Sequence, residues 1–158
     1  MPPKKTNAAR LLDELGIFYE MTEAAVDESD LSAATLAKLL GVSPDEVFKT
    51  LVVRGDKSGI IMACIPAKSE LDFKKLAVAS GNKTTAMVHL KEVFPLTGYI
   101  RGGCSPLGAK KAYPVYMDET AILFDRIYVS AGHRGVQLHI APDDLVAATG
   151  ATYADIIH

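Results

Sequence analysis

Cysteine is scarce in this chain, which has only Cys64 and Cys104 among its 158 residues. Two cysteines are too few for a disulfide framework, so we expect a reducing, cytoplasmic environment. No apolar run approaches the roughly 18 residues that a membrane-spanning helix needs, and we expect no membrane partner. The opening segment, residues 1–12, carries cations but lacks the apolar core of a signal peptide.

A strong net charge is also absent, because 17 lysines and arginines face 19 acidic residues and leave a formal charge of −2. This balance argues against a protein that coats nucleic acid without specificity, although a local basic footprint remains compatible with it. Apolar residues make up 49% of the chain and charged residues 23%. These proportions predict one ordinary globular domain over residues 1–158.

Short strands alternate with helices along the sequence, which predicts an α+β fold with a mixed sheet. Gly16, Gly41, Gly81 and Gly150 mark helix ends, and a five-residue polar turn joins two apolar runs in a hairpin. Helices are predicted at 7–15, 31–40, 44–46, 72–80, 142–149 and, ended by Pro95, at 89–94; strands are predicted at 17–21, 47–54, 60–66, 84–88, 115–118, 121–124, 126–130 and 136–140.

The segment from Thr97 to Lys111 is unusually rich in glycine and in cations, and no acidic residue lies between Glu92 and Asp118. Glycine allows backbone N–H groups to approach a ligand closely, and successive N–H groups can form a concave anion site. The segment therefore predicts a site for a bound anion or for an oxyanion that develops during a reaction. Its glycines and cations are Gly98, Gly102, Gly103, Gly108, Arg101, Lys110 and Lys111.

Several common catalytic motifs are missing from the sequence. The glycine loop has neither the spacing of a phosphate-binding loop nor that of a dinucleotide fingerprint, so nucleotide hydrolysis and hydride transfer have little support. No pair of cysteines or histidines has the spacing of metal ligands, and no serine has the G-x-S-x-G context of a hydrolase. We therefore expect no metal and no cofactor.

Two single residues outside the glycine loop could carry chemistry. Lys49 interrupts an apolar strand; it either points to solvent or directs its ammonium into a pocket, where it would stabilise an oxyanion. Ser130 precedes a second glycine turn and is either a turn residue or a hydroxyl that contacts substrate. A nucleophilic Cys104 paired with a histidine is a third possibility, but the spacing selects no histidine.

Three motifs occur in the same order as in a known family: FKTL at 48–51, TGY…GGCSPLG…KK from Thr97 to Lys111, and YVSAGHRG at 128–135. The sequence resembles the YbaK family of aminoacyl-tRNA deacylases, which is also the prolyl-tRNA editing domain, and is most similar to its free-standing members. The resemblance implies a largely antiparallel, barrel-like sheet surrounded by helices. It also implies cleavage of cysteine from Cys-tRNA(Pro), with aminoacyl-tRNA and prolyl-tRNA synthetase as partners.

The resemblance implies roles for individual residues as well. The essential lysine of the family corresponds to Lys49, and the thiol of the substrate cysteine would attack its own ester. The expected catalytic residues are Lys49, Gly102, Gly103 and Ser130, and the expected substrate-binding residues are Cys104, Ser105, Pro106, Gly108, Lys111, His133 and Arg134.

The sequence departs from the family pattern at three places that bear on amino-acid preference. A tyrosine after the first strand is replaced near Glu23-Ala24, a lysine of the second glycine turn is His133, and an acidic residue is Gln137. Two alternatives stay open: a water-dependent deacylase for another mischarged tRNA such as Ala-tRNA(Pro), and a tRNA-binding module without catalysis.

Overall fold

A computed structural model describes residues 5–23 and 33–158 of the chain. It contains five α-helices and eight strands in these residues, together with three short 3₁₀ helices. The helices are α1 Asn7–Glu14, α2 Ala33–Leu40, α3 Phe73–Ser80, α4 Val93–Thr97 and α5 Pro142–Thr149; the strands are β1 Glu20–Glu23, β2 Phe48–Gly55, β3 Gly59–Pro66, β4 Thr85–Met87, β5 Val115–Asp118, β6 Ile127–His133, β7 Val136–Ile140 and β8 Thr152–Ala154.

The strands form two sheets. The first is antiparallel and has the order β1-β7-β6, whereas the second has the order β4-β2-β3-β5-β8 and is antiparallel up to β3 and parallel beyond it. An isolated parallel bridge between Val47 and Tyr128 links the two sheets. The predicted α+β class and mixed sheet are confirmed, and the described residues form two linked sheets rather than one closed barrel.

Helix caps explain most of the helix boundaries. Thr6 accepts a hydrogen bond from the N–H of Ala9 at the start of α1, and Asp72 accepts from two N–H groups at the start of α3. Gly81 and Gly150 adopt left-handed conformations that end α3 and α5. The predicted ends of these helices are confirmed to within one residue, whereas residues 31 and 32 of the second predicted helix lie outside the described residues.

Two predicted elements are wrong. Residues 121–124 were expected as a strand, but Asp118 caps a 3₁₀ helix over Glu119–Leu123 by accepting from the N–H of Thr120. Pro95 was expected to end a helix, yet α4 runs through it. Because Pro95 lies in the first turn, where N–H groups have no partner within the helix, its missing donor costs little.

The main core lies between the two sheets. Alternate residues of β6 and β7 enter it, and they meet Phe48 of β2, Leu107 of the glycine loop and Leu12 of α1. We call the opposite face of the β1-β7-β6 sheet its outer face. A small cluster of Ala37, Val47 and Tyr128 lies there, so α2 covers only part of this face. Within residues 5–23 and 33–158, no helix is long and apolar enough to cross a bilayer.

Candidate active site

A row of polar residues crosses the outer face of the three-stranded sheet. Val136, Leu138 and Ile140 of β7 point into the main core, so the alternation of the strand directs Gln137 to the outer face. In the strand register, Gln137 pairs with Thr22 of β1 on one side and with Ser130 of β6 on the other. Residues paired in this way carry their side chains on the same face.

The bridge between the sheets extends this row to Lys49. Val47 and Tyr128 pair in parallel and share the outer cluster. The bridge is isolated, so Lys49 and Ser130 do not themselves pair; each follows its bridge residue by two positions and therefore lies on the same outer face. We call Thr22, Gln137, Ser130 and Lys49 the polar row.

The ammonium of Lys49 is poorly solvated and lacks a partner. The residue is half-buried, and it makes no hydrogen bond or ion pair with any residue in the described part of the chain. Burial lowers the pKa of Lys49, and the nearby carboxylate of Glu70 partly opposes this effect. A partly desolvated cation that forms no ion pair with a described residue is suited to a ligand that carries or develops negative charge.

A bulge in β6 redirects the chain directly after Ser130. The register between β6 and β7 shifts between Ser130 and His133, and Gly132 takes φ +106°. The Ser130 hydroxyl accepts a hydrogen bond from the N–H of Gly132 at 3.1 Å and retains its own proton for donation. The bulge thus interrupts the regular pairing of β6 with β7 after Ser130 and starts the second glycine turn there.

The two glycine turns contact each other. A Cβ atom at Gly103 would lie 3.4 Å from the backbone nitrogen of Arg134 and 3.5 Å from the backbone of His133. The Arg134 side chain donates through Nε to the carbonyl of Arg101 at 2.8 Å. The absence of a side chain at Gly103 therefore permits this close approach, and the glycine loop lies against the turn that follows Ser130.

The glycine loop presents unpaired N–H groups. The N–H of Gly103 donates to the carbonyl of Ile100 at 2.9 Å and is not available to a ligand. By contrast, the N–H groups of Cys104 and Ser105 donate to no acceptor among the described residues, although Ser105 is completely buried. Buried N–H groups are rarely left without a partner, so this pair is suited to an oxyanion.

The two cysteine thiols of the chain are both protected from ionisation by burial. Burial raises the pKa of the Cys104 thiol, and the Sγ atom contacts the carbonyl of Ile100 at 3.9 Å. Cys64 is fully buried, and burial raises the pKa of its thiol to about 12. A raised pKa keeps both thiols protonated at neutral pH, which argues against a nucleophilic cysteine of the protein.

Tyr99 holds the glycine loop on β6. It is largely buried, its hydroxyl donates to the carbonyl of Leu107 at 2.5 Å, and burial raises the pKa of the phenol to about 12. Cβ atoms placed on Gly108 or Gly132 would lie 2.9 Å from atoms of the Tyr99 side chain. Both glycines therefore make room for the tyrosine that positions the loop.

Replacing Gly108 should reveal this packing as a loss of stability. Gly108 has φ +72°, and an added Cβ would lie 2.9 Å from the Tyr99 hydroxyl oxygen and 3.1 Å from the nitrogen of Ala8. We expect Gly108→Ala to lower the free energy of unfolding by roughly 2–5 kcal/mol, the sum of left-handed strain and overpacking. Urea denaturation followed by circular dichroism measures this change.

Gly150 provides a matched control for that substitution. It has φ +71° but no atom within 4 Å of an added Cβ. Gly150→Ala should therefore cost only the backbone strain, about 1–2 kcal/mol. Equal losses in the two variants would contradict the packing role of Gly108.

The remaining candidates lie around this site at different depths. Within the glycine loop, Pro106 is buried and Gly102 is exposed. His133 of the second glycine turn is also exposed. Lys111 is exposed and lines a separate cavity of about 500 Å³ with Leu96 and Tyr113, none of which belongs to the polar row. The structure thus groups Lys49, Ser130 and the two glycine turns, whereas Lys111 faces elsewhere.

Thr22 was not singled out from the sequence, and Gln137 was noted only as a departure from a family pattern. The sequence could have drawn attention to Gln137, because a glutamine stands between Val136 and Leu138 at the start of an otherwise apolar strand. Thr22 carries no comparable signal, because its significance comes from its pairing with Gln137. Within the described residues, no group of three histidine, cysteine or acidic side chains could hold a metal ion.

Comparisons with known proteins identify the family of this chain. A family model described as an aminoacyl-tRNA editing domain matches residues 27–148. A protein of Enterococcus faecalis named as a candidate Cys-tRNA(Pro)/Cys-tRNA(Cys) deacylase, EbsC, is 47% identical over 97% of this chain and 93% of its own length. A proline–tRNA ligase of Thermosipho africanus is 33% identical over 48% of this chain and 13% of its own length.

A solved structure shares the whole fold. It is described as a candidate trans-editing enzyme for prolyl-tRNA synthetase, and it superimposes with a TM-score of 0.83 at 26% identity over 99% of both chains. The matched family model covers more than half of the chain and includes Lys49, the glycine loop and Ser130. The chain therefore belongs to the aminoacyl-tRNA editing domain family.

Proposed function

We propose that this protein is an editing deacylase that removes cysteine from Cys-tRNA(Pro). The observation that carries the proposal is the unpartnered ammonium of Lys49 beside Ser130, next to a loop with two unpaired N–H groups. Family membership supports deacylation, and the relative named as a Cys-tRNA(Pro)/Cys-tRNA(Cys) deacylase supports cysteine as the amino acid.

The substrate supplies the nucleophile in this proposal. The thiolate of the esterified cysteine attacks its own carbonyl carbon, a C–S bond forms, and the C–O bond to the terminal ribose breaks. The products are a cysteine thiolactone and a tRNA whose ribose oxygen takes up the proton that the thiol released. A free thiol with a pKa of about 8.5 is a few per cent ionised at neutral pH, so it requires no strong base.

The protein's contribution is to position the ester and to stabilise the oxyanion. A tethered nucleophile in good geometry lowers the activation barrier by on the order of 7–11 kcal/mol. One positioned donor contributes about 2.7–4 kcal/mol more. We assign the donor role to the N–H groups of Cys104 and Ser105 together with Lys49, and we assign to the Ser130 hydroxyl a contact with the ester or the ribose.

This route also accounts for discrimination among small amino acids. A pocket separates substrates that differ by one small group by only about 1–3 kcal/mol. Alanine has no side-chain nucleophile, and the serine hydroxyl is far less ionised than a thiol. Alanine and serine esters that enter the pocket are therefore cleaved slowly, because they lack the thiol that attacks the ester.

Prolyl-tRNA synthetase is the proposed partner that presents the mischarged tRNA. The net charge of −2 provides little general attraction for tRNA. A solved structure of the same fold is described as a trans-editing enzyme for that synthetase. Arg101 and Lys110 of the glycine loop are exposed cations, and we propose that they contact phosphates of the tRNA.

A panel of mischarged tRNAs tests the proposal. We expect the protein to release cysteine from Cys-tRNA(Pro) at least about tenfold faster than alanine or serine from the same tRNA, because a missing nucleophile affects the barrier directly. The measurement is release of labelled amino acid with and without the synthetase. Preferential cleavage of Ala-tRNA(Pro) would indicate water-dependent hydrolysis, and tRNA binding without turnover would indicate a non-catalytic module.

A further inference from the structure

Two polar atoms at the far end of the polar row have no hydrogen-bond partner within residues 5–23 and 33–158. These are Oγ1 of Thr22 and Oε1 of Gln137, both of which are buried. Gln137 as a whole is 4% exposed. The two residues are register partners on β1 and β7, so both lie on the outer face, with Gln137 between Thr22 and Ser130.

Such a pair requires an explanation, because nearly all buried polar side-chain atoms in folded proteins are hydrogen-bonded. A buried polar atom without a partner lowers stability, and two such atoms on neighbouring strands lower it further. A bound ligand that donates hydrogen bonds would satisfy both oxygens.

The position of the pair identifies the group that it would bind. Ser130 lies between Gln137 and Lys49, where the scissile ester is held in the proposed function on which this inference rests. Every aminoacyl ester carries an α-amino group one carbon from that carbonyl, and in its protonated form the group has three donors. An amide oxygen and a hydroxyl oxygen are neutral acceptors for such a group.

We propose that Thr22 and Gln137 form the subsite for the α-amino group of the bound aminoacyl ester. The subsite holds this group through hydrogen bonds to uncharged oxygens, so it orients the ester without placing a carboxylate beside the developing oxyanion. A negative charge at this point would oppose the oxyanion that Lys49 stabilises. Thr22 and Gln137 are therefore binding and positioning residues of the same site.

The test combines two substitutions with two substrates. The near-isosteric variants Thr22→Val and Gln137→Met remove one acceptor each, and N-acetyl-Cys-tRNA(Pro) keeps the thiol and the ester but lacks the α-amino group. For Cys-tRNA(Pro) we expect each variant to lower kcat/KM by about ten- to a hundredfold, the effect of one hydrogen bond from a charged donor. For the acetylated substrate, which the wild type should already cleave slowly, the variants should cause little further loss.

Thermal unfolding separates this role from a structural one. Removal of an unsatisfied buried oxygen should leave the melting temperature of each variant unchanged or raise it. The exposed Thr152 on β8 provides the control, and Thr152→Val should change neither rate. Equal losses on both substrates, or a fall in melting temperature that accompanies lost activity, would overturn the subsite. Failure of the wild type on Cys-tRNA(Pro) would instead overturn the proposed function.

Discussion

Lys49→Met should lower kcat/KM for Cys-tRNA(Pro) by about a hundred- to a thousandfold, the loss expected when one donor to an oxyanion is removed. Methionine keeps most of the length and apolar contact of the lysine stem and removes only the charge. Because Lys49 has no protein partner among the described residues, its removal leaves no buried carboxylate unpaired. The measurement is single-turnover deacylation, which reports the chemical step rather than product release.

The pattern of the effect distinguishes catalysis from binding. An interaction that forms only in the transition state should lower kcat and leave KM nearly unchanged. Lys57→Ala, at the exposed tip of the β2–β3 hairpin, should have no effect on either constant. Undiminished activity in Lys49→Met would remove this residue from the mechanism.

The pH dependence provides a second readout of Lys49. Burial lowers the pKa of its ammonium, so the positive charge is lost at a lower pH than for an exposed lysine. We expect kcat/KM to rise towards the pKa of the substrate thiol, and then to decline before pH 10.5, the ordinary lysine value. In Lys49→Met the alkaline decline should disappear while the acidic limb remains.

S-methylated Cys-tRNA(Pro) should be cleaved at least about a thousandfold more slowly than the parent, because methylation removes the tethered nucleophile and its effective molarity. The methyl group adds little volume, and the ester and the α-amino group stay intact. The comparison uses the same tRNA, the same enzyme and release of labelled amino acid. Its control is competition, in which the methylated ester should inhibit cleavage of the parent and so demonstrate that it binds.

Equal cleavage of the two esters would contradict attack by the substrate thiol. Water would then be the nucleophile, and Ala-tRNA(Pro) should be cleaved at a comparable rate. Slow cleavage of the methylated ester together with failure to compete would indicate exclusion from the pocket rather than loss of the nucleophile. The two measurements together therefore separate chemistry from steric selection.

The sequence predicted the local elements well where a residue with a specific backbone role marks a boundary. Asp72 and Gly81 define α3 from both ends, and the polar turn before Gly59 defines the hairpin. Apolar content alone misled at residues 121–124, where Ile122 and Leu123 are 62% and 75% exposed and the cap at Asp118 decides the conformation. Local signals of this kind outweigh hydrophobicity over so short a stretch.

The site could be predicted only in part for a different reason. The glycines and Lys49 attract attention as residue types, but their proximity depends on the Val47–Tyr128 bridge, which joins strands about 80 residues apart. The roles of individual N–H groups also require coordinates, since the N–H of Gly103 donates to Ile100, whereas the N–H groups of Cys104 and Ser105 have no acceptor in the part of the chain that the structure describes. Likewise, Thr22 acquires meaning only through the register of β1 on β7.

The bridge between Val47 and Tyr128 places the reactive groups on two separately hydrogen-bonded bodies. Lys49 belongs to the five-stranded sheet, whereas Thr22, Gln137 and Ser130 belong to the three-stranded one. A small displacement of one sheet relative to the other would separate the Lys49 ammonium from Ser130, while the hydrogen bonds within each sheet stayed intact. In the proposed mechanism, activity therefore depends on how the two sheets pack against each other, and we expect a disturbance of the Val47–Tyr128 bridge to lower activity without unfolding the protein.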